Sequence, residues 1–296
     1  MSELLRQSTN RQVTWLVRYA TPVNSPKTSA IQPRALIVTT YGLYARAIGG
    51  WIPVGSLIEL MGSLDVESSA VRTAVSRLKQ RGVLDADRRD GVAGYQLTPR
   101  GRAILDAGDR RIFERPRASR EDGWLVVVFS VPESERARRH QLRTRLSWLG
   151  FGTVSAGVWI APGHLDDETR DVLAEYDLAP YVDLFHADYY AYGDVREQIP
   201  RWWDLSSLAA MYDEFLAQHS PILRRWSRRE TGDVSAAYAD YVRTLTAWRR
   251  LPYRDPGIAA DLLPRGWHGA KAETLFRSIQ QLLADPAQQY VESVLR

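Results

Sequence analysis

The side chains whose types and spacing could do chemistry lie between residues 69 and 89. At a helical period, hydroxyl and guanidinium groups gather on one side of a single segment, at Ser69, Arg72, Thr73 and Ser76, with Arg77 beside them. No acidic residue falls among them. Guanidinium and hydroxyl groups are used by proteins to contact base edges and phosphate oxygens. This face therefore predicts contact with a nucleic acid.

Each basic residue of this region has a predicted role. Arg72 is the first candidate for reading a base, since a bidentate guanidinium on guanine is the commonest specific contact. Base or neighbouring phosphate contacts are expected from Ser69, Thr73, Ser76 and Arg77. Backbone phosphate contacts are expected from Lys79, Arg81, Arg88 and Arg89. The alternative is that this is the solvated outer face of an ordinary amphipathic helix.

The surrounding sequence predicts the elements that position these groups. The opposite side of the helix is apolar, with Val71, Ala74, Val75 and Leu78, and we expect it to face a core. Asp65 stands where an N-cap belongs, and Gly82 where the helix must stop. Two short strands follow, Val83–Asp87 and Tyr95–Thr98, and the loop at 88–91 places two arginines at the hairpin tip. Upstream we expect a helix Arg34–Ile48, a strand Trp51–Pro53 and a helix Val54–Met61.

This order predicts a winged helix-turn-helix over residues 33–114, preceded by a flexible arm over residues 1–32. A second segment, residues 121–192, predicts strands and helices in the order β-α-β-β-α-β, which is the ferredoxin-like split motif. Its strands are expected at Trp124–Phe129, Phe151–Ser155, Val158–Ala161 and Val182–Phe185, and its helices at Ser134–Leu149 and Asp166–Tyr176. The fold class is therefore α+β. The first of these helices carries five arginines, which could meet flanking DNA or an effector phosphate, or could form a solvated face.

Residues 194–296 predict a helical domain rich in aromatic residues. Its helices are expected at Asp204–Gln218, Val234–Arg250, Ala270–Ala284 and Pro286–Leu295. Aromatic rings and guanidinium groups beside them would suit an aryl or acyl group carried on adenine-nucleotide phosphates. The candidate effector residues are Tyr190, Tyr192, Arg201, Trp202, Trp203, Arg225, Trp226 and Trp267. The alternative is that these tryptophans fill a helical core.

Composition limits the classes of function. The chain has 296 residues, 45% of them hydrophobic, and no cysteine, which excludes disulfides and thiolate chemistry. Residues 1–120 carry 19 basic and 10 acidic residues, a net charge of +9, whereas the remainder carries −5, so a polyanion partner is expected for the N-terminal part. Neither a membrane-spanning stretch nor a signal-peptide core is present in the sequence, which predicts a cytoplasmic protein.

Enzyme chemistry finds little support. The sequence contains no nucleophile elbow, P-loop or dinucleotide fingerprint. The five histidines show no metal-ligand spacing, so neither a metal nor a cofactor is expected. No catalytic residue is proposed from the sequence.

From about Pro33 onward the chain resembles the PaaX family, bacterial repressors named for the phenylacetic-acid degradation operon. The stretches that carry the resemblance are RALIVTTYGLYARAIGGWIPVGSLIELM, AVRTAVSRLKQRGVL, YQLTPRG, WLVVVFSVPE, LGFGTVSAGVWIAP, WDLSSLAAMYDEFL and DPGIAADLLPRGWHG. One departure is Asp65, where the family pattern leads us to expect glycine in the turn before the recognition helix.

The resemblance implies a homodimeric repressor of a catabolic operon, binding a palindromic DNA operator and released by an aryl- or acyl-CoA effector. It also implies that the helical domain at residues 194–296 serves effector binding and dimerisation. It also brings two alternatives. The middle domain is similar to metal-dependent nucleases of CRISPR adaptation, but the end of its first strand offers Phe129 and Ser130, which are not metal ligands. An acyl-CoA-processing enzyme is the other alternative.

Overall fold

The structure, a computed structural model, describes residues 31–114, 117–190, 193–228 and 233–296. These residues divide into two compact units. The central unit contains residues 109–212 and 250–268, and the N/C unit contains residues 31–108, 213–249 and 269–296. Apart from its last two residues, the predicted arm lies outside the described residues. The two units cut across the three predicted segments, because the first elements and the last helices share one unit.

The N/C unit begins with alternating helices and short strands. They are α1 Pro33–Thr40, β1 Trp51–Pro53, α2 Val54–Gly62, α3 Ser68–Gln80, β2 Leu84–Arg89, β3 Val92–Leu97 and α4 Pro99–Asp109. The three strands form an antiparallel sheet in the order β1-β3-β2. The prediction of one regular helix over 34–48 is wrong in its second half, where a π turn at Tyr41–Ala45 and a 3-10 turn at Arg46–Ile48 replace the α-helix. Gly49 and Gly50 then end the segment with positive φ, which glycine adopts without strain.

Burial explains why these first helices pack together. The predicted inner face of α3 is buried throughout, at Val71, Ala74, Val75 and Leu78. It meets the buried apolar residues of α1 and α2, among them Ile37, Leu57, Leu60 and Met61. Gly101 permits a close approach at the start of α4, since a Cβ there would lie 2.3 Å from the carbonyl oxygen of Val83. Glycine is therefore required at that position.

The central unit contains a four-stranded sheet with helices. Its elements are β4 Trp124–Phe129, α5 Arg136–Leu149, β5 Gly152–Ser155, β6 Val158–Pro162, α6 Asp166–Glu175, β7 Val182–Ala187 and α7 Val195–Trp202. The strands are antiparallel in the order β5-β6-β4-β7, so β4, whose sequence is a continuous apolar run, lies between two neighbours. Together with the small sheet of the N/C unit, this mixture of helix and antiparallel sheet confirms the α+β class.

The two faces of β4 pack into two different hydrophobic cores of the central unit, called the first and the second core. Leu125 and Val127 belong to a cluster with apolar residues of α5 and α6, including Leu142, Leu146 and Val172. Trp124 belongs to a second cluster with Ile199 of α7, Leu205, Ile258, Ala259 and Leu262. Alternate residues of the strand thus point to opposite sides, which is why its sequence is apolar without interruption.

Three long helices complete the chain: α8 Leu205–Ser227, α9 Val234–Trp248 and α10 His268–Leu295. The predicted end of α8 at Gln218 is wrong, and so is the predicted division of the last segment into two helices. Pro221 lies inside α8 and Pro286 inside α10, and both helices continue through them. In the N/C unit Trp248 stacks on Phe276 of α10 at a centroid distance of 4.8 Å and contacts Phe215 of α8 at 5.4 Å.

Candidate nucleic-acid interface

The outer face of α3 is exposed as predicted. Its exposed side chains are those of Ser69, Arg72, Thr73, Ser76, Arg77 and Lys79. Within the described part of the chain, Arg72, Arg77 and Lys79 form no ion pair. The Thr73 hydroxyl already has an acceptor within the helix, since its Oγ1 donates to the backbone oxygen of Ser69 at 3.0 Å. The face therefore presents uncompensated positive charge and hydroxyl groups to solvent.

The residues at the two ends of α3 differ from the prediction in part. The N-cap position is occupied by Glu67 rather than Asp65, and no side chain caps the helix. Asp65 instead adopts φ +57° in the turn before the helix, a conformation that favours glycine. Asparagine and aspartate tolerate it better than most residues, which accounts for an aspartate at a position where we expected glycine. At the other end α3 stops at Gln80, and Gly82 has φ +64°, as expected.

The predicted hairpin forms, but its turn is tighter than expected. Arg88 and Arg89 are the last two residues of β2, so the connecting turn is only Asp90-Gly91. Both turn residues have positive φ, 49° and 81°, as the preferred two-residue hairpin turn requires. Arg88 donates to the backbone oxygen of Gly91 at 2.7 Å, which holds its guanidinium at the tip.

Arg89 is engaged within the protein. Its Nη2 donates to Oε1 of Gln96 at 2.5 Å, its Nε pairs with Asp87 at 3.2 Å, and its guanidinium lies 5.2 Å from the Trp51 ring centroid. Gln96 in turn donates to the Gly49 backbone oxygen at 2.9 Å. Arg89 thus stabilises the hairpin against β1, and its guanidinium is less available to a phosphate than that of Arg88.

Sequence reasoning missed the residues that support the hairpin. The Trp51 ring lies against the backbone of Gly94, where a Cβ would approach it to 2.4 Å. A glycine inside a strand often marks such a close approach, and this signal could have identified the contact. Arg81, predicted to contact the DNA backbone, is half-buried and interacts with other residues.

A buried tyrosine joins the irregular end of the first helix to the sheet. Tyr41 donates its hydroxyl to the Tyr95 backbone oxygen at 2.9 Å. Burial raises the pKa of Tyr41 well above its usual range, so the phenol remains a neutral donor at physiological pH. This contact fixes β3, and with it the hairpin, on the π turn.

The C-terminal helices contact the same elements within the N/C unit. On α1, Thr39 Oγ1 lies 2.8 Å from Thr246 Oγ1, and Thr40 Oγ1 lies 2.9 Å from the Tyr238 hydroxyl. Arg243 pairs with Asp65, in the turn before α3, at 2.5 Å.

Helix α10 makes further contacts to α2 and its end. Ser63 lies 2.6 Å from the Tyr290 hydroxyl, and Ser56 donates to the Val294 backbone oxygen at 3.0 Å. Helices α9 and α10 therefore form part of the structure that carries α3.

Comparison with known proteins agrees with this geometry along the length of the chain. Three models of one family match successive segments: "PaaX-like protein" at residues 32–101, "PaaX protein central Cas2-like domain" at 117–199 and "PaaX-like protein C-terminal domain" at 203–293. The chain belongs to the PaaX family.

Two individual proteins resemble this PaaX-family chain over most of its length. It is 25% identical over 262 residues to the transcriptional repressor PaaX of Escherichia coli strain K12, covering 87% of this chain and 82% of the relative. A solved structure, the uncharacterised protein Rv0674 of Mycobacterium tuberculosis, matches with a TM-score of 0.61 and 23% identity. That match covers 89% of this chain and 100% of the other, and it shows a shared fold.

The predicted effector residues fall into two groups. Tyr190, Arg201, Trp202, Trp203 and Trp267 lie in the central unit, whereas Arg225 and Trp226 lie in the N/C unit. Tyr192 lies outside the described residues. The side chains of Arg225 and Trp226 both donate to Oδ2 of Asp240, at 2.5 and 2.7 Å. The polar groups of Arg225 and Trp226 are thus already bound to a carboxylate of α9.

In the central unit, Trp202 and Trp203 pack into the second core. Their ring centroids lie 5.8 and 6.1 Å from that of the buried Trp124, and Trp203 donates its indole N–H to the Gly150 backbone oxygen at 2.7 Å. Trp202 also meets Tyr189 edge-on at 5.7 Å. The alternative that these rings fill a core therefore holds for Trp202 and Trp203.

A cleft of about 300 Å³ lies beside this aromatic cluster. Its lining includes Arg120, Trp124, Asp188, Tyr189, Val195 and Leu262. Arg120 forms an ion pair with Asp261. None of the predicted effector residues that the structure describes lines the cleft, although Trp202 contacts the rings of Trp124 and Tyr189 in its wall.

The described residues offer neither a metal site nor a membrane-spanning helix. No group of three or more histidine, aspartate or glutamate side chains in the described chain could hold a metal ion. Phe129, at the end of β4, packs against the first core of the central unit. No described helix combines the length and apolarity that a membrane span needs.

Proposed function

We propose that this chain is a DNA-binding transcriptional repressor that reads duplex DNA through the outer face of α3. One observation carries the proposal: α3 buries one apolar stripe completely and exposes Arg72, Arg77 and Lys79 without any carboxylate partner among the described residues. The similarity to a protein named a transcriptional repressor supports it.

We further assign residues 33–114 as a winged helix-turn-helix. The order helix, strand, helix, helix, hairpin and the sheet order β1-β3-β2 support this assignment. In such domains the second helix of the pair enters the major groove and the hairpin meets the backbone. Arg72 would then read a base, while Arg77, Lys79 and Arg88 contact phosphates.

Residues 121–192 would be a ferredoxin-like domain. The antiparallel order β5-β6-β4-β7 with α5 and α6 on one face supports that assignment. Residues 194–296 would supply dimerisation and part of the effector site, and the repressor would act in the cytoplasm.

The decisive experiment compares two basic residues of α3. Arg72→Ala should lose about 1–3 kcal/mol of operator affinity, a factor of roughly 5 to 150, and should relax sequence preference. Lys79→Ala should weaken specific and random duplexes alike and reduce the salt dependence by about one counterion. Affinities can be measured by fluorescence anisotropy, using a site selected from random duplexes and the exposed Arg265→Ala as a control on another unit. If Arg72→Ala binds the operator with unchanged affinity, Arg72 does not read a base.

We propose that the repressor is a homodimer on a palindromic operator of a catabolic operon. Two α3 helices would then sit about 34–36 Å apart, one turn of DNA. Sedimentation of the free protein and of its complex tests this, with two chains expected per duplex. A complex that contains one chain at saturation would contradict it.

We propose that an aryl- or acyl-CoA thioester releases the repressor. The aromatic walls of the 300 Å³ cleft, formed by Trp124 and Tyr189, support an aryl or acyl group in the central unit. A gel shift of the upstream promoter with a panel of CoA thioesters tests it, with free CoA as the control. Release by no thioester of the panel would leave the DNA-binding proposal intact but exclude this effector class.

A further inference from the structure

A second concave surface of the central unit lies along α5. Its basic side chains are Arg136, Arg139, His140 and Arg143, which follow at i, i+3, i+4 and i+7 and so share one side of the helix. Thr144, Ser147 and Trp159 of β6 complete the lining. This open groove has a volume of about 380 Å³, within the range of small-molecule sites. We call it the α5 groove.

The five arginines of α5 do not form one uniform solvated face. Arg145 is buried with its guanidinium 3.9 Å from the Tyr176 ring centroid, and Arg138 donates to the Tyr176 backbone oxygen at 3.0 Å. These two arginines stabilise the packing of the helix. The other three, Arg136, Arg139 and Arg143, line the α5 groove, where a ligand could reach them.

The α5 groove carries an excess of positive charge. Arg136 and Arg139 share one carboxylate, that of the exposed Glu133, at 3.6 and 2.8 Å. Arg139 is also fixed by a 2.8 Å hydrogen bond to the Val131 backbone oxygen. The side chains of His140 and Arg143 have no hydrogen bond or ion pair within the described residues. One carboxylate therefore balances three guanidinium groups.

The lining also contains a buried donor without an acceptor. Trp159 is only 4% exposed, and its indole Nε1–H has no hydrogen-bond partner among the described residues. An unsatisfied buried donor costs about 1–3 kcal/mol, so such groups usually mark a missing partner. An anionic oxygen bound in the α5 groove, with a small shift of its walls, would supply that acceptor.

We propose that the α5 groove binds a small molecule through two linked phosphate groups. Arginine forks bind phosphate oxygens in pairs. Residues 136 to 143 span roughly 10 Å of helix axis, a distance that suits a diphosphate better than one phosphate. The fixed Arg139 and the free Arg143 would clamp the two groups, and His140 and Ser147 would add donors. The site is independent of the DNA-reading face.

Inorganic pyrophosphate is the probe, titrated into the full chain by calorimetry and by following the indole N–H signals in ¹H–¹⁵N spectra. We expect one binding site per chain. We also expect pyrophosphate to shift the indole N–H signal of Trp159, which is identified as the signal missing from the Trp159→Phe variant. Arg143→Gln should weaken binding about tenfold. Glu133→Gln should strengthen it about three- to fivefold, because it removes the competing carboxylate. Arg265→Gln, an exposed arginine elsewhere on the central unit, should change nothing.

The opposite signs expected for Arg143→Gln and Glu133→Gln separate a site from general unfolding or general charge attraction. Equal weakening by Arg265→Gln, or an unmoved Trp159 signal at saturating pyrophosphate, would overturn the proposal. A Trp159 signal that shifts with random duplex DNA and not with pyrophosphate would also overturn it, in favour of a nucleic-acid surface. Arg72→Ala should leave pyrophosphate binding unchanged whatever its effect on DNA.

Discussion

A buried pair of hydroxyl groups links the first helix to the C-terminal helices, and its removal makes a quantitative prediction. Thr40 and Tyr238 are both completely buried, and their oxygens lie 2.9 Å apart. Tyr238→Phe leaves the Thr40 hydroxyl without its partner, and Thr40→Val does the same to the phenol. Each single change should lower the free energy of unfolding of the N/C unit by about 1–3 kcal/mol.

The double variant should cost less than the sum of the two, because no polar group is then left unpaired. We expect a coupling energy of at least about 1 kcal/mol in a double-mutant cycle followed by urea denaturation. Tyr241→Phe on the same helix is the matched control. Its hydroxyl accepts a longer bond of 3.3 Å from the half-buried Gln280, so a smaller loss is expected. If the losses of unfolding free energy caused by Thr40→Val and Tyr238→Phe are additive, the two hydroxyl groups do not interact, and the packing of α1 against α9 in the N/C unit is contradicted.

Three further predictions concern single positions. Gly101→Ala should destabilise the N/C unit by about 1–3 kcal/mol in thermal melts, because its Cβ would meet the Val83 carbonyl. Asp65→Gly should change stability by less than about 1 kcal/mol, because relief of the positive φ offsets loss of the exposed Arg243 pair, and DNA affinity should not change. Burial lowers the pKa of His219. As the pH falls, this histidine is therefore protonated in the unfolded chain before it is protonated in the folded chain. Stability should therefore fall as pH drops below about 6.5, and His219→Phe should flatten that dependence in urea titrations.

The sequence was most informative where local rules decide the structure. The 3.6-residue period of α3 separated Val71 and Leu78 from Arg72 and Ser76, and burial follows that division. The dipeptide Asp90-Gly91 specifies a two-residue hairpin turn, although the extent of the strands beside it was underestimated. Each of these features depends on residues within a few positions, so a single sequence suffices to predict them.

Local rules failed where packing outweighs them. Proline removes a backbone donor and usually ends a helix, yet α8 continues through Pro221 and α10 through Pro286. In α10 Leu283 and Ala287, on either side of the proline, are completely buried. The apolar contacts of a long helix can offset one missing hydrogen bond. Nothing within a few residues of the proline reveals such contacts.

The role of a side chain was hardest to predict where its partner is distant in sequence. Arg88 and Arg89 look equivalent from their neighbours, but Gln96 and Trp51 engage only Arg89, so their availability to a phosphate differs. The same limitation hid the contacts of α9 and α10 with α1, α2 and the turn before α3, more than 170 residues away. The C-terminal helices α9 and α10 are therefore part of the unit that carries α3, so an effector of the proposed kind that displaced them would change the support of α3 directly.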